Sequence, residues 1–235
     1  MKCCHIAEAG PGVAPCHKIR ELGFTLVELM IALTVGGVIM AGVMTAFMSQ
    51  HRSYLAQDDV VEMQQNIRVA MDMLVRDVRS AGYDPNGLGA AITVAGPNTL
   101  IFTRDDSTGV LETVDYSLFD AFAFTLPASN DGLVDDLALQ INASGRQVVA
   151  ENISQMEFNY LDEDGNALPF PINLPAISSI SSVQISLLAV ASGPDPSFNN
   201  VVSYQTASGA IWGPFNDNLR RRMLITTVKC RNLGI

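Results

Sequence analysis

Glu28 places a carboxylate at the start of a long apolar segment, where it could form a charged contact inside a membrane. It ends the sequence Gly-Phe-Thr-Leu-Val-Glu at residues 23–28, and residues 29–47 that follow contain no charged side chain. A carboxylate just inside hydrocarbon costs a few kcal/mol, so its presence implies a partner charge or a route back to the membrane surface. Glu28 is therefore the first candidate functional residue.

Histidine usage argues against most catalytic chemistry. The three histidines are His5, His17 and His51, and none follows residue 82, where we expect the soluble domain. Ser-His, Cys-His and His-rich metal mechanisms therefore lack their usual base or ligand there. A carboxylate pair could act as acid and base, but among 24 acidic residues any two can be paired by chance. The sequence predicts a protein that is not an enzyme.

One acidic cluster has the composition of a calcium site. Asn130, Asp131, Asp135 and Asp136 surround Gly132, and such a turn could offer several oxygen ligands to Ca²⁺. The pattern lacks the upstream aspartate and the final glutamate of an EF-type loop. We therefore favour a hydrated turn and no cofactor, and keep Asp131, Asp135 and Asp136 as calcium candidates.

Three of the four cysteines lie near the N-terminus. Cys3, Cys4 and Cys16 precede Gly23, and only Cys230 follows it. With His5 and His17 these residues could suggest a zinc site, but their segment is short and has no hydrophobic period. If the chain is cut after Gly23, the remainder has a single thiol and cannot form an internal disulfide.

The net charge of −10 argues against nucleic acid as a partner. Residues 1–23 hold three basic and two acidic side chains, so 11 basic and 22 acidic side chains remain after them. An excess of carboxylates opposes contacts with phosphates. Residues 220–222, a run of three arginines, fit an exposed edge of a terminal strand.

A single apolar segment is long enough to cross a membrane. It covers about residues 24–48, and no later run reaches the roughly 18 uncharged apolar residues of a helical span. It is too long for the core of a cleavable signal peptide, so we expect it to stay with the protein. Lys18 and Arg20 before the segment weakly favour a cytoplasmic N-terminus.

The helical pattern continues beyond this segment. Apolar side chains recur every three or four residues between Val60 and Ala81, with charged side chains mostly between them. Gly82 is a natural stop and Pro85 opposes continuation. The pattern predicts one helix over residues 24–81.

The rest of the chain is rich in short β-type runs. We predict strands at residues 99–103, 114–118, 137–141, 156–160 and 183–187. Residues 162–166 indicate a turn, and residues 193–214 have the Pro, Gly, Ser and Asn content of an exposed loop. The sequence thus predicts an α+β fold in which a long N-terminal helix packs on an antiparallel β-sheet globular domain.

Residues 23–28 and the apolar run after them resemble the processing site of type IV prepilins and of type II secretion pseudopilins. The resemblance implies that prepilin peptidase cuts after Gly23 and that Phe24 becomes the methylated N-terminus. It also implies that Glu28 pairs with the terminal amine of a neighbouring subunit during assembly. The expected organisation is a leader (residues 1–23), a long pilin helix (24–82) and a β-rich domain (83–235).

Further segments resemble PilW-type minor pilins and the related J-type minor pseudopilins. They are residues 63–68, 76–83, 149–153, 158–162, 220–222, 226–228 and 231–232. Residues 86–135 match no pattern that we can name. The similarity favours a minor pilin that contributes to the assembly, priming or tip of a type IV pilus.

This resemblance implies a definite location and set of partners. The chain would span the inner membrane once, with its N-terminus cytoplasmic and its globular domain periplasmic, and would then enter a pilus at the cell surface. Its partners would be prepilin peptidase, major and minor pilins, the assembly platform of the inner membrane, and lipid. The alternatives are a minor pseudopilin of type II secretion and, from another class, a tip adhesin that binds through residues 192–214.

Overall fold

The computed structural model of the chain describes residues 23–106, 108–119, 135–142 and 144–233. The chain divides into two compact units, Met1–His51 and Arg52–Ile235, and each is described by itself. One helix begins in the first unit, and all strands lie in the second. The helix is α1 (Leu26–Ser80), and the strands are β1 (Ile92–Ala95), β2 (Thr99–Asp105), β3 (Leu111–Phe119), β4 (Asp136–Ile141), β5 (Gln147–Ala150), β6 (Ile153–Leu161), β7 (Ser182–Val190), β8 (Tyr204–Gln205), β9 (Ile211–Trp212) and β10 (Arg221–Lys229).

In the second unit, α1 buries one face in the hydrophobic core. Charged and polar residues occupy most of the other positions of this segment, as in an amphipathic helix. Leu74, at the centre of the buried face, is completely inaccessible to solvent. The buried side chains recur at helical spacing and are Met63, Ile67, Ala70, Met71, Leu74 and Val78.

Gly82 ends the helix as the sequence predicts. Its φ of +73° lies in the left-handed region, which glycine adopts without the strain that a Cβ would cause. Its N–H donates to the carbonyl oxygen of Thr103 at 3.0 Å, so the chain leaves the helix beside β2.

A five-stranded sheet follows the order β1-β2-β3-β4-β5, and every neighbouring pair is antiparallel. Sequential strands are therefore spatial neighbours throughout this sheet. Leu100, Tyr116 and Leu139 face each other across three strands and belong to the same core as the helix.

A three-stranded antiparallel sheet has the order β10-β7-β6. Phe158 and Ile185 are paired in it, and both are completely buried in the shared core. In the chain, the short hairpin of β8 and β9 follows β7 and precedes β10. The N–H of Ala207, at its turn, donates to Ser186 Oγ on β7 at 3.0 Å.

The architecture confirms the predicted α+β fold, a long helix packed on antiparallel sheets. The five predicted strands are parts of β2, β3, β4, β6 and β7. Helix α1 begins two residues later than predicted because Thr25 caps it, and it ends at Ser80 rather than at residue 81. The division into leader, helix and β-rich domain stays a prediction.

Two expectations about the C-terminal part were wrong. Residues 193–214 form more than an exposed loop, because they contain β8 and β9 and bury Asp195, Asn200 and Thr206. The arginines at residues 220–222 are not simply an exposed edge. Although β10 is an edge strand, the side chain of Arg221 is only 7% exposed.

Candidate functional site

The start of α1 is set by a local capping motif. Thr25 precedes the first helical residue, and its Oγ1 accepts the N–H of Glu28 at 3.3 Å. The carbonyl oxygen of Thr25 accepts the N–H of Leu29 at 3.2 Å. A threonine followed three residues later by a glutamate is the sequence of a capping box. The Thr-Leu-Val-Glu segment thus has a structural reason of its own to start a helix at Leu26.

The Gly23–Phe24 bond lies immediately before this helix. Gly23, Phe24 and Thr25 have no regular secondary structure, and the side chain of Phe24 is 87% exposed. A peptidase needs an accessible segment that is not held in a helix or sheet. The geometry suits cleavage after Gly23 and modification of Phe24, which both stay predictions.

In the first unit, the large apolar side chains of α1 are exposed. An 18-residue window of this helix has a mean hydropathy of 2.2 and is not buried at all. An exposed apolar surface of this extent is typical of a contact with lipid or with other proteins. The helix is therefore long and apolar enough to cross a membrane. Its large exposed side chains up to residue 48 are Leu26, Val27, Leu29, Met30, Ile31, Leu33, Val35, Val38, Ile39, Met40, Val43, Met44, Phe47 and Met48.

The threonine hydroxyls within this apolar stretch form hydrogen bonds with backbone carbonyl groups of the same helix, and Glu28 is the exception among its polar side chains. Thr34 Oγ1 donates to the carbonyl oxygen of Ile31 at 2.9 Å, and Thr45 Oγ1 donates to that of Ala41 at 2.8 Å. Such bonds let a threonine lie in hydrocarbon. The exposed Glu28 side chain forms no ion pair with any described residue. Within the described part of the chain, its carboxylate is left for a group that lies elsewhere.

Three glycines of the same stretch leave open space on the helix surface. A Cβ placed at Gly36, Gly37 or Gly42 would meet no heavy atom within 4 Å. Small residues on an apolar helix allow the backbone of another helix to approach closely. Within the described chain, nothing occupies this space.

In the second unit, a polar cluster fastens the end of α1 to the five-stranded sheet. Arg104 on β2 donates from Nη1 to Asp77 Oδ1 at 3.2 Å and from Nε to Glu112 Oε2 at 2.7 Å. Tyr116 on β3 donates its hydroxyl to Asp77 Oδ2 at 2.7 Å. Burial and the negative charge of Asp77 both raise the pKa of Tyr116, so the hydroxyl remains a donor. Opposite charges in the sequence do not reveal this arrangement, because its members come from three elements.

A second set of ion pairs fixes the region between β7 and β10. Arg220 donates from Nε and Nη2 to Asp195 Oδ2 at 2.9 and 2.7 Å, and its guanidinium lies 4.5 Å from the ring centre of Phe198. Hydrogen bonds from Ser197 and the charge and bonds of Arg220 lower the pKa of Asp195 to about 2. Arg221 donates from Nη1 to Asp217 Oδ1 at 2.6 Å and from Nη2 to Asp217 Oδ2 at 2.7 Å. Sequence analysis missed these pairs.

The structure places two of the three calcium candidates in buried positions. Asp135 and Asp136 are 5% and 0% exposed, and Asp136 is the first residue of β4 rather than part of a hydrated turn. Asp131 lies outside the described residues. Within the described part of the chain, no group of three His, Cys, Asp or Glu residues could hold a metal ion. The expectation of no calcium site stays a prediction, and Asp131, Asp135 and Asp136 stay candidates.

One comparison with known proteins matches the N-terminal motif. A family defined as the prokaryotic N-terminal methylation motif matches residues 19–44. Among solved structures, the chain is similar to a type IV-like pilin from Thermus thermophilus, with a TM-score of 0.48 and 15% identity over 73% of this chain and 98% of that chain. No curated protein matches the sequence. The methylation motif confirms the resemblance to prepilins, whereas the PilW type stays a prediction.

Proposed function

We propose that this chain is a minor subunit of a type IV pilus, without catalytic activity, which prepilin peptidase cuts after Gly23 and methylates on Phe24. One observation carries the proposal. The apolar helix begins at Leu26, directly after the segment that holds the Gly23–Phe24 bond, and Thr25 caps it. The bond, the cap and the start of the helix all lie within the matched methylation motif. A chain released at this bond would present its new N-terminus at the end of a membrane-spanning helix.

The proposed location follows from the same helix. The apolar part of α1 would span the inner membrane, with Lys18 and Arg20 on the cytoplasmic side and the β-rich unit in the periplasm. From there the subunit would pass into a fibre through the assembly platform, alongside major and minor pilins. The exposed apolar side chains and the open glycine surface support contacts with lipid first and with neighbouring helices afterwards.

Glu28 would set the register between subunits. Its carboxylate forms no ion pair with any described residue, and the amine of a processed neighbour beginning at Phe24 would supply the missing charge. A buried ion pair contributes little net stability but penalises every arrangement that leaves one charge alone. The pair would therefore select one axial position for each incoming helix.

A tip-binding role is a second candidate, supported by one surface of the second unit. Val201, Val202 and Ile211 are 63%, 50% and 65% exposed, although hydrogen bonds fix the segment that carries them. Apolar side chains held rigidly in water are typical of a contact surface. Under this proposal, the surface would bind a partner at the end of the fibre.

The N-terminus of the membrane-extracted protein tests the proposed function. Intact-mass measurement and N-terminal sequencing should show a chain that begins at N-methylated Phe24. Gly23→Leu should leave the leader attached, while the matched variant Leu26→Ile should be processed normally. A mature wild-type chain that still contains Lys18 and Arg20 would contradict the proposal.

A further inference from the structure

An open groove lies at the C-terminal end of α1, on the second unit. It has a volume of about 570 Å³ and is formed by the last two turns of the helix and by the segment that follows β10. Asn232 Nδ2 donates to the carbonyl oxygen of Arg79 at 3.3 Å and links the two sides. The lining residues are Asp72, Val75, Arg76, Arg79, Ser80, Arg231 and Asn232.

Three arginines and one aspartate, Asp72, line this groove, so its net charge is positive. Arg76, Arg79 and Arg231 are exposed, and none forms an ion pair with a described residue. The helix dipole favours a basic residue in the last turn, which explains the position of Arg79. It does not explain the position of Arg231, which comes from the segment after β10. Such a concentration is unusual in a chain with a net charge of −10. We call this feature the arginine groove.

The turn after β6 has the opposite character. Asp162 Oδ1 accepts the N–H of Asn166 at 2.8 Å, and Leu161 forms a β-bridge with Ala167, so the turn is held in one shape. Glu163 and Asp164 at its tip are exposed, and neither forms an ion pair with a described residue. We call residues 162–165 the acidic turn.

Among the loops, two further aspartates are already engaged by their own backbone, while the exposed Asp58 and Asp72 lie on α1. Asp84 accepts the N–H groups of Leu88 and Gly89, and Asp106 accepts that of Thr108. These carboxylates would lose hydrogen bonds if they turned towards another molecule. The side chains of Glu163 and Asp164 would lose none, which makes the acidic turn the better complement for arginines.

We propose that the arginine groove binds the acidic turn of a second copy of this chain. Guanidinium groups hold carboxylates through paired, directional hydrogen bonds. The groove and the turn lie at the same end of the three-stranded sheet, because Leu161 and Lys229 both pair with Ser182, so each of two copies can offer its turn to the groove of the other. The inference rests on the proposed function, because the apolar helices would supply the affinity while these charges select the orientation.

The decisive experiment is a charge reversal on the processed full-length chain in phosphatidylcholine vesicles. A photoreactive p-benzoylphenylalanine in place of the exposed groove residue Asp72 should crosslink two copies, with the product mapped to residues 161–166 by mass spectrometry. The variant R76E/R79E should lower the crosslink yield at least fivefold, and so should E163K/D164K. A chain that carries all four reversals should recover the yield, because the attraction is restored with opposite signs.

Matched controls separate the groove from general charge effects. Arg68 and Arg222 are exposed arginines outside the groove, and R68E/R222E changes the net charge by the same amount as R76E/R79E. This control should leave the yield unchanged, and unaltered circular dichroism should show that each variant is folded. Crosslinks that map elsewhere, or four reversals that fail to recover the yield, would overturn the proposal.

Two further probes distinguish other anionic partners. A double-stranded DNA oligonucleotide, or vesicles containing phosphatidylglycerol, should bind the wild type and R76E/R79E equally. If either probe binds the wild type more tightly than R76E/R79E, the groove binds that class of molecule and not a second copy of the chain. If the N-terminus is Phe24 but no crosslink maps to residues 161–166, the groove proposal alone is refuted. If the chain is unprocessed, the proposed function is refuted.

Discussion

The hydroxyl of Tyr116 on β3 lies 2.7 Å from Oδ2 of Asp77 on α1. This hydrogen bond joins the five-stranded sheet to the helix segment whose apolar face completes the core. Asp77 also accepts from Arg104, so a single carboxylate orients two side chains of the sheet. We therefore expect the second unit to depend on the end of α1.

Removing the Tyr116 hydroxyl should destabilise the second unit. Tyr116→Phe leaves Asp77 with one hydrogen bond fewer, and we expect a loss of about 1.5 kcal/mol in the free energy of unfolding. Denaturant unfolding followed by the fluorescence of Trp212, the only tryptophan, measures it. The control Tyr83→Phe, at an exposed position, should change stability by less than about 0.5 kcal/mol. Equal effects of the two variants would contradict the assigned role.

The Asp195–Arg220 pair should make stability depend on acid pH. The pKa of Asp195 is lowered from 3.8 to about 2, so its stabilising effect is complete above pH 3.8 and is lost as the pH falls towards 2. Asp195→Asn should therefore melt at a lower temperature than the wild type at pH 6. The difference should narrow steadily between pH 4 and pH 2. A difference that is constant over this range would show that the ion pair is not responsible.

Cys230 should be unreactive in the folded mature chain. It is 2% exposed, and burial raises the pKa of its thiol to about 11. Iodoacetamide at pH 8 should label no thiol until the protein is unfolded in urea, when one should react. Ser203→Cys, at an exposed position, should react at once and serves as the control. Rapid labelling of the folded wild type would disprove the buried position of Cys230.

Loss of the Glu28 carboxylate should impair assembly after processing is complete. We expect Glu28→Ala to be cut after Gly23 and inserted into the membrane, but to be recovered in fibres at least tenfold less than the wild type. The comparison is an immunoblot of sheared fibres against membranes. Thr25→Ser, which keeps the capping hydroxyl, should assemble normally. Normal recovery of Glu28→Ala in fibres would contradict the proposed pairing of Glu28 with the amine of a neighbouring subunit.

The second unit should depend on the helix face that it buries. A fragment that begins at Gln57 retains every buried side chain of α1 and should be a soluble monomer, whereas one that begins at Pro85 exposes the sheet face and should aggregate. Size-exclusion chromatography distinguishes the two results. A soluble, folded fragment from Pro85 would show that the helix face is dispensable.

Sequence periodicity was sufficient for the parts of this fold that depend on local spacing. The apolar residues of α1 recur at helical intervals, and Gly82 marks the end because a left-handed residue is needed there. The short strands β1, β5, β8 and β9 were not predicted, since two to four residues cannot establish an alternating pattern. β1 and β5 pair with the longer strands β2 and β4, whereas β8 and β9 pair with each other.

The contacts of charged residues could not be predicted in the same way. Asp195 and Arg220 are 25 residues apart, and no local pattern connects them. Arg231 joins Arg76 and Arg79 only because the chain returns to the end of α1 after β10. The motif at residues 23–28, by contrast, is entirely local and was identified directly. Sequence alone thus located the start of the helix but not the surfaces of the second unit.

The position of β10 at the end of the chain has a consequence for biosynthesis. Strand β7 is the centre of its sheet and buries six of its nine residues in a row, yet its partner β10 is synthesised some thirty residues later. Until β10 arrives, an apolar strand presents one unpaired backbone edge, the form that other nascent chains can join. We therefore expect the interval between β7 and β10 to be a stage of synthesis at which this edge is open to pairing with other chains.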